Sequence, residues 1–234
     1  VLLLHGNGSS RTAMQNVMRM LVAEELTVMS ISLRAHGDST GEINDFGFGA
    51  RHEVVAAVRF LEAEFPGRPI YIVGRSLGAA AALFAADELG DRVAGYLLEQ
   101  PYTDLAGATW NRLQSRLPPV LDWVAYRGMR CCAVALFPVD LAIVAPADHL
   151  LSIPKEVPIT IATGSADRHA RLEEVRDMHR RVADHTRLIV FEGAEHVDLD
   201  RYDPGLYRQT LLESVGLAET PGSSSSSADE SAAN

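Results

Sequence analysis

Cysteine is almost absent from this chain. Of 234 residues only 2 are cysteine, and they are neighbours, Cys131 and Cys132. Adjacent cysteines do not form an ordinary cross-linking disulfide, and two thiols without a Cys/His cluster make a poor metal site. We therefore expect no disulfide framework and no bound metal or organic cofactor, and we read both cysteines as small apolar packing residues. Positive charge is also short: 21 Lys and Arg stand against 31 Asp and Glu, for a formal net charge of −10. Binding to a phosphate backbone needs clustered cations that release counterions, so nucleic acid is not expected as a partner. No apolar run reaches the roughly 18 residues that a membrane span requires, and no segment repeats. An initiator methionine and a signal-like segment are missing too. The chain opens at Val1, inside a strand-like run, so we expect the natural N-terminus upstream and read no compartment beyond a cytoplasmic default.

What is present is ordinary globular composition, 47% hydrophobic and 22% charged, over enough length to bury a substantial core. One domain is expected over residues 1–217. Short β-branched or leucine-rich runs alternate with segments of helical period, which predicts an α/β fold: a mostly parallel open sheet with helices on both faces. Strands are predicted near Val1 to Leu4, Val28 to Leu33, Ile70 to Val73, Val93 to Leu98, Ile159 to Thr163 and Leu188 to Phe191. Between them, "HEVVAAVRFLEAEF" gathers Val54, Val55, Val58, Phe60, Leu61 and Phe65 on one side of a helix, and "RLEEVRDMHRRVA" does so with Leu172, Val175, Met178 and Val182. The interval between Leu98 and Ile159 exceeds what a one-helix crossover needs, so residues 105–150 are read as an insertion, a lid or an extra helix pair. The last stretch, 218–234, is serine-rich, small and acidic, and is expected to be a disordered tail.

The chemistry concentrates in a few loops. In "YIVGRSLGAAAA" a strand runs into Gly74-Arg75-Ser76-Leu77-Gly78 and a helix follows, the context in which G-x-S-x-G presents a serine on a sharp turn. The N–H of Leu77 then begins a helix and can face a developing oxyanion. Ser76 as a plain helix cap is the competing reading. After the first strand comes His5-Gly6-Asn7-Gly8, where the N–H of Asn7 is a second oxyanion donor. A serine hydroxyl needs a base. Of the eight histidines, His52, His169, His179 and His185 read as solvated residues, whereas His196 follows the last strand in "VFEGAEHVDL", on the sheet's carboxyl side. The acid that orients it is Asp167, in the equivalent loop one strand earlier, with Asp104 as the rival.

Together "LLLHGNGSS", "RAHGDSTG", "GRSLG", "TGSAD" and "GAEH" resemble the α/β-hydrolase superfamily over almost the whole chain to Leu217, nearest to its small esterases and its monoacylglycerol-lipase-like and serine-aminopeptidase-like members. The resemblance implies a second strand outside the first, strands upstream of the "HG" strand that this sequence does not contain, a lid in the position of the insertion, and a serine hydrolase acting on a small acyl ester or amide. In that case Cys131 to Val139, Trp110 and Trp123 are candidates to line an acyl pocket. Two positions depart from the pattern: Ser32 stands where such proteins often carry Asp, and Ala35 where they often carry Gly. Acyl transfer or peptide-end cleavage on the same residues, and a binding protein that keeps the fold without turnover, are the alternatives.

Overall fold

The computed structural model describes residues 1–136 and 143–217. The tail 218–234 and part of the Cys131 to Val139 stretch lie outside the described residues. Six strands form one parallel sheet: β1 (Leu2–Leu4), β2 (Met29–Ile31), β3 (Tyr71–Arg75), β4 (Gly95–Glu99), β5 (Ile159–Gly164) and β6 (Thr186–Phe191). Their order is β2-β1-β3-β4-β5-β6, so the chain steps outward once and then returns past β1 to build the rest. The four central strands are mainly apolar and almost wholly buried. The two edge strands are the ones left partly exposed, since each has a neighbour on one side only.

Alternate strand residues feed two cores. On one face Leu2, Leu4, Ile72, Leu98 and Ile161 pack under α2 (Arg51–Glu64), α3 (Leu77–Leu89) and α6 (Leu172–Arg181). On the other, Leu3, Val73, Leu97 and Ala162 pack under α1 (Gln15–Ala23) and two later helices, α7 (Leu199–Tyr202) and α8 (Pro204–Ser214). α3 is buried nearly throughout, because its run of alanines lets the helix lie close on the sheet. In α2 the periodicity holds for Val54, Val55, Val58 and Leu61, but Phe60 and Phe65 face solvent. Fully burying a core leucine or valine is worth about 1.5–3 kcal/mol, so the two strand-facing stripes supply most of the driving force.

Among the described residues the insertion holds α4 (Leu105–Gln114), α5 (Leu121–Leu136) and a 3₁₀ segment, Pro146–Ser152. Asp104 caps α4, its carboxylate accepting from the N–H of Gly107 at 2.7 Å. On α5 both cysteines are exposed, so they do not serve as packing residues; Trp123 is 56% exposed and does not line the pocket that holds Ser76. Among the described residues no helix is long and apolar enough to cross a membrane.

Candidate functional site

Because all six strands run parallel, the loops leaving β1, β3, β4, β5 and β6 emerge on the same edge. Ser76 leaves β3 with φ +49° and ψ −104°, a conformation that non-glycine residues rarely adopt and that costs of order 1–3 kcal/mol unless the surroundings impose it. Here they do. The Ser76 N–H donates to the carbonyl of Glu99 at 2.7 Å, and a Cβ at Gly78 would stand 2.4 Å from the Leu4 carbonyl oxygen, so only glycine lets α3 start against β1. The side chain of Ser76 makes no capping bond to α3, which removes the competing reading of a helix cap.

Instead, Ser76 Oγ lies 3.2 Å from Nε2 of His196, whose Nδ1 lies 2.7 Å from Oδ2 of Asp167. A carboxylate accepts, so in the neutral ring Nδ1 carries the proton and Nε2 is left to accept from the serine hydroxyl. The side chain of Asp167 is fully buried, and its other oxygen accepts from the N–H groups of His169 at 2.8 Å and Ala170 at 2.9 Å. Both carboxylate oxygens are thus fixed. The structure brings Ser76, Asp167 and His196 together from loops separated by up to 120 residues, while Asp104 is occupied at the start of α4. The loops of Asp167 and His196 are themselves sewn together: the Ala166 N–H donates to the Ala194 carbonyl at 2.9 Å, and a Cβ at Gly164 would meet that same oxygen at 2.1 Å.

Asn7 and Leu77 line the same pocket as Ser76 and His196. As the first residue of α3, Leu77 has no carbonyl one helical turn back to receive its N–H. The Asn7 side chain is held in place by the amide of Asn44 at 2.6 Å and by Nε2 of His36, 3.2 Å from the same oxygen. His5 anchors this loop from beneath. Its Nε2 accepts from the Leu33 N–H at 3.0 Å, which places the ring proton on Nδ1, where it donates to the Gly6 carbonyl at 2.8 Å. Ser32 donates to Asp38 at 2.9 Å, and Ala35 adopts φ +57°, so the two departures keep the loop in a glycine-like shape with an acid six residues further on.

The remaining walls come from Phe46, Gln100, Tyr102 and the insertion, including Leu105, Ala108, Leu113 and Met129. Three contributors went unread in the sequence. His169, expected to be solvated, lines the pocket with its ring centroid 5.0 Å from that of His196. Burial first, then the charges of His196 and Arg112, hold its pKa below the usual imidazole value. Gln100 donates its side-chain amide to the Glu195 carbonyl at 2.8 Å, steadying the loop of His196. Arg75, the variable residue of G-x-S-x-G, is buried beneath the turn. It reaches Glu99 at 2.7 Å, Asp198 at 2.7 Å and Asp200 at 2.6 Å. His179 and His185 also pack against neighbours, whereas His52 is exposed as expected. Asp167, His169 and His196 place one potential donor atom each within 4.8 Å, a closeness that the hydrogen-bonded Asp167–His196 pair already accounts for.

A model of the alpha/beta hydrolase family matches residues 1–230. The chain belongs to this family. Human monoglyceride lipase is 32% identical over 100 residues, 42% of this family member and 33% of the human protein. A monoglyceride lipase homolog of monkeypox virus is 29% identical over 104 residues, or 43% and 37% of the two chains. The aligned stretch therefore spans about a third of the curated relatives' own length. Among solved structures, an esterase of Pyrococcus furiosus superposes with a TM-score of 0.73 at 22% identity, covering 92% of this hydrolase-family chain and 80% of its own. A monoacylglycerol lipase of Paleococcus ferrophilus gives 0.62 at 17% identity, with 91% of each chain covered. At such identities these two establish a common fold.

Proposed function

We propose that this protein hydrolyses a carboxylic ester through an acyl-enzyme. Ser76 Oγ attacks the carbonyl carbon while His196 Nε2 takes its proton. Asp167 keeps the imidazole in the tautomer that can accept and stabilises its cation, and the N–H groups of Asn7 and Leu77 receive the oxyanion. The tetrahedral intermediate collapses by expelling the alcohol, which leaves with the proton from His196. Water, deprotonated by the same nitrogen, then releases the acid and restores Ser76. α4 and α5 act as a roof over the substrate, a role supported by the pocket residues they contribute. The observation that carries the reading is the continuous chain from Ser76 through His196 to a fully buried carboxylate. The named esterase and lipase relatives support an ester as the substrate class.

The test is covalent. A fluorophosphonate probe should label the wild type at a single residue, and peptide mass mapping should find the adduct on Ser76. Ser76→Ala should lose the label and lose p-nitrophenyl butyrate hydrolysis by at least about 10³-fold. An adduct that persists in a folded Ser76→Ala protein rules the assignment out.

A further inference from the structure

The pocket is walled mainly by apolar side chains, with one full cation among its described lining residues, Arg112 of α4. Carboxylates outnumber cations in this chain by 31 to 21, and several arginines elsewhere find them: Arg34 pairs with Glu53 at 2.8 Å, and Arg59 with Glu88 at 2.7 Å. The guanidinium of Arg112 has no hydrogen bond, ion pair or ring contact among the described residues. Its nearest charges do not neutralise it. Arg116, in the turn just past α4, adds positive charge, while Asp167 has both oxygens engaged with His196, His169 and Ala170. Glu174, behind α4, is taken up by the side-chain amide of Asn111 at 2.9 Å. Partial desolvation against the wall, and then Arg116, lower the Arg112 pKa, but a guanidinium stays charged at any working pH.

Its position selects a part of the substrate. Arg112 is close enough to Asp167 and His169 for its charge to act on both, and the His169 ring stands against that of His196. In the reaction proposed above, His196 hands its proton to the leaving oxygen, so the leaving alcohol lies on the His196 side and the oxyanion on the side of Asn7 and Leu77. We propose that the leaving alcohol of the substrate carries an anionic group, a carboxylate or a phosphate, which Arg112 binds. This rests on the ester-hydrolase reading and narrows its substrate class. The planar fork of Arg112, exposed at the mouth and otherwise unpaired, suits either oxyanion in two-point contact.

The experiment compares butyryl esters whose leaving alcohols are neutral or anionic, the near-isosteric O-butyrylglycolamide and O-butyrylglycolate together with 2-(butyryloxy)ethyl phosphate, on the wild type, Arg112→Gln and Arg112→Lys. We expect kcat/KM to favour at least one anionic ester over the neutral amide by about tenfold, mainly through KM, with the preference shrinking as salt rises. Whichever anion wins identifies the source. The ratio of anionic to neutral kcat/KM should fall to about one in Arg112→Gln and recover in part in Arg112→Lys. A neutral ester turned over as well as both anionic ones, or a preference that survives in Arg112→Gln, overturns this inference and leaves the ester-hydrolase reading standing. If no ester is cleaved, p-nitrophenyl butyrate included, both fail together.

Discussion

At the scale of single residues, the choice between two acids decides the site. Asp104 and Asp167 both follow strands on the same edge, and strand order alone did not separate them. Hydrogen bonding does, since Asp104 spends its carboxylate on Gly107 and Asp167 places one oxygen 2.7 Å from His196. In Asp167→Asn the amide NH₂ turned toward Nδ1 forces the proton onto Nε2, the nitrogen that accepts from Ser76 in the proposed reaction. Ester kcat should therefore drop by about 10⁴-fold, with KM little changed. Asp104→Asn keeps an equally good helix cap and should leave kcat alone; equal losses in the two variants would refute the assignment. Ser76, His196 and the pair Asp104 and Asp167 were legible as candidates because each sits just past a strand, where the alternation of strand and helix places it without any side-chain contact being known. His169 was not, because an imidazole beside a polar helix reads as solvated until the neighbouring loop is seen to fold over it.

At the scale of elements, the two halves of the site are held in register from below by Arg75. Its three partners belong to β4 and to the α7 region: Glu99, 0% exposed, with Asp200, 2% exposed, and the more accessible Asp198. Asp200 is tied on to α1 through Asn16 at 2.7 Å, and the Tyr207 hydroxyl of α8 donates to Glu99. Burial alone would lower the Arg75 pKa, but Glu99 and Asp200 outweigh it and raise it, so the arginine is charged throughout. The residue preceding Ser76 thereby fastens the segment that follows His196. Arg75→Met removes the only cation that pairs with these two buried carboxylates among the described residues and should cost about 3–5 kcal/mol in urea unfolding, the range for breaking a buried pair by deleting one partner. Arg75→Lys should lose less because it keeps a cation, but not nothing, since a point charge reaches fewer than three partners. A loss below about 1 kcal/mol for Arg75→Met would show that the carboxylates relax into solvent. None of this was legible from sequence, since contacts spanning 123 and 125 residues leave no local pattern.

At the scale of the whole molecule, the layer plan was readable and its trimming was not. The six strands fall where the apolar runs predict them, with ends shifted by one to a few residues, because buried runs mark the core and hydrogen bonds to neighbours decide where a strand stops. The insertion's length was evident, yet which side of α5 faces solvent was not, and Cys131, Cys132 and Trp123 turned out exposed. The same tight packing imposes a pH dependence on stability. Burial lowers the pKa of His5, with His36 adding to the effect against the bond to Gly6, and His169 is lowered as described. In the unfolded chain both titrate near about 6.5. Below that value the unfolded state binds more protons than the folded one, so stability falls as the pH drops, and it levels off only beneath the lowered folded values. Above about pH 7.5 neither group contributes a slope, and each adds at most about 1.4 kcal/mol per pH unit within the window. His5 supplies the structural reason: protonating Nε2 takes away the acceptor of the Leu33 N–H. Urea unfolding at several values from pH 5 to 8 should show this decline in the wild type, and His5→Gln and His169→Gln should each flatten it by up to one proton's share. An unchanged slope in both variants would mean that other groups carry the acid sensitivity of the fold.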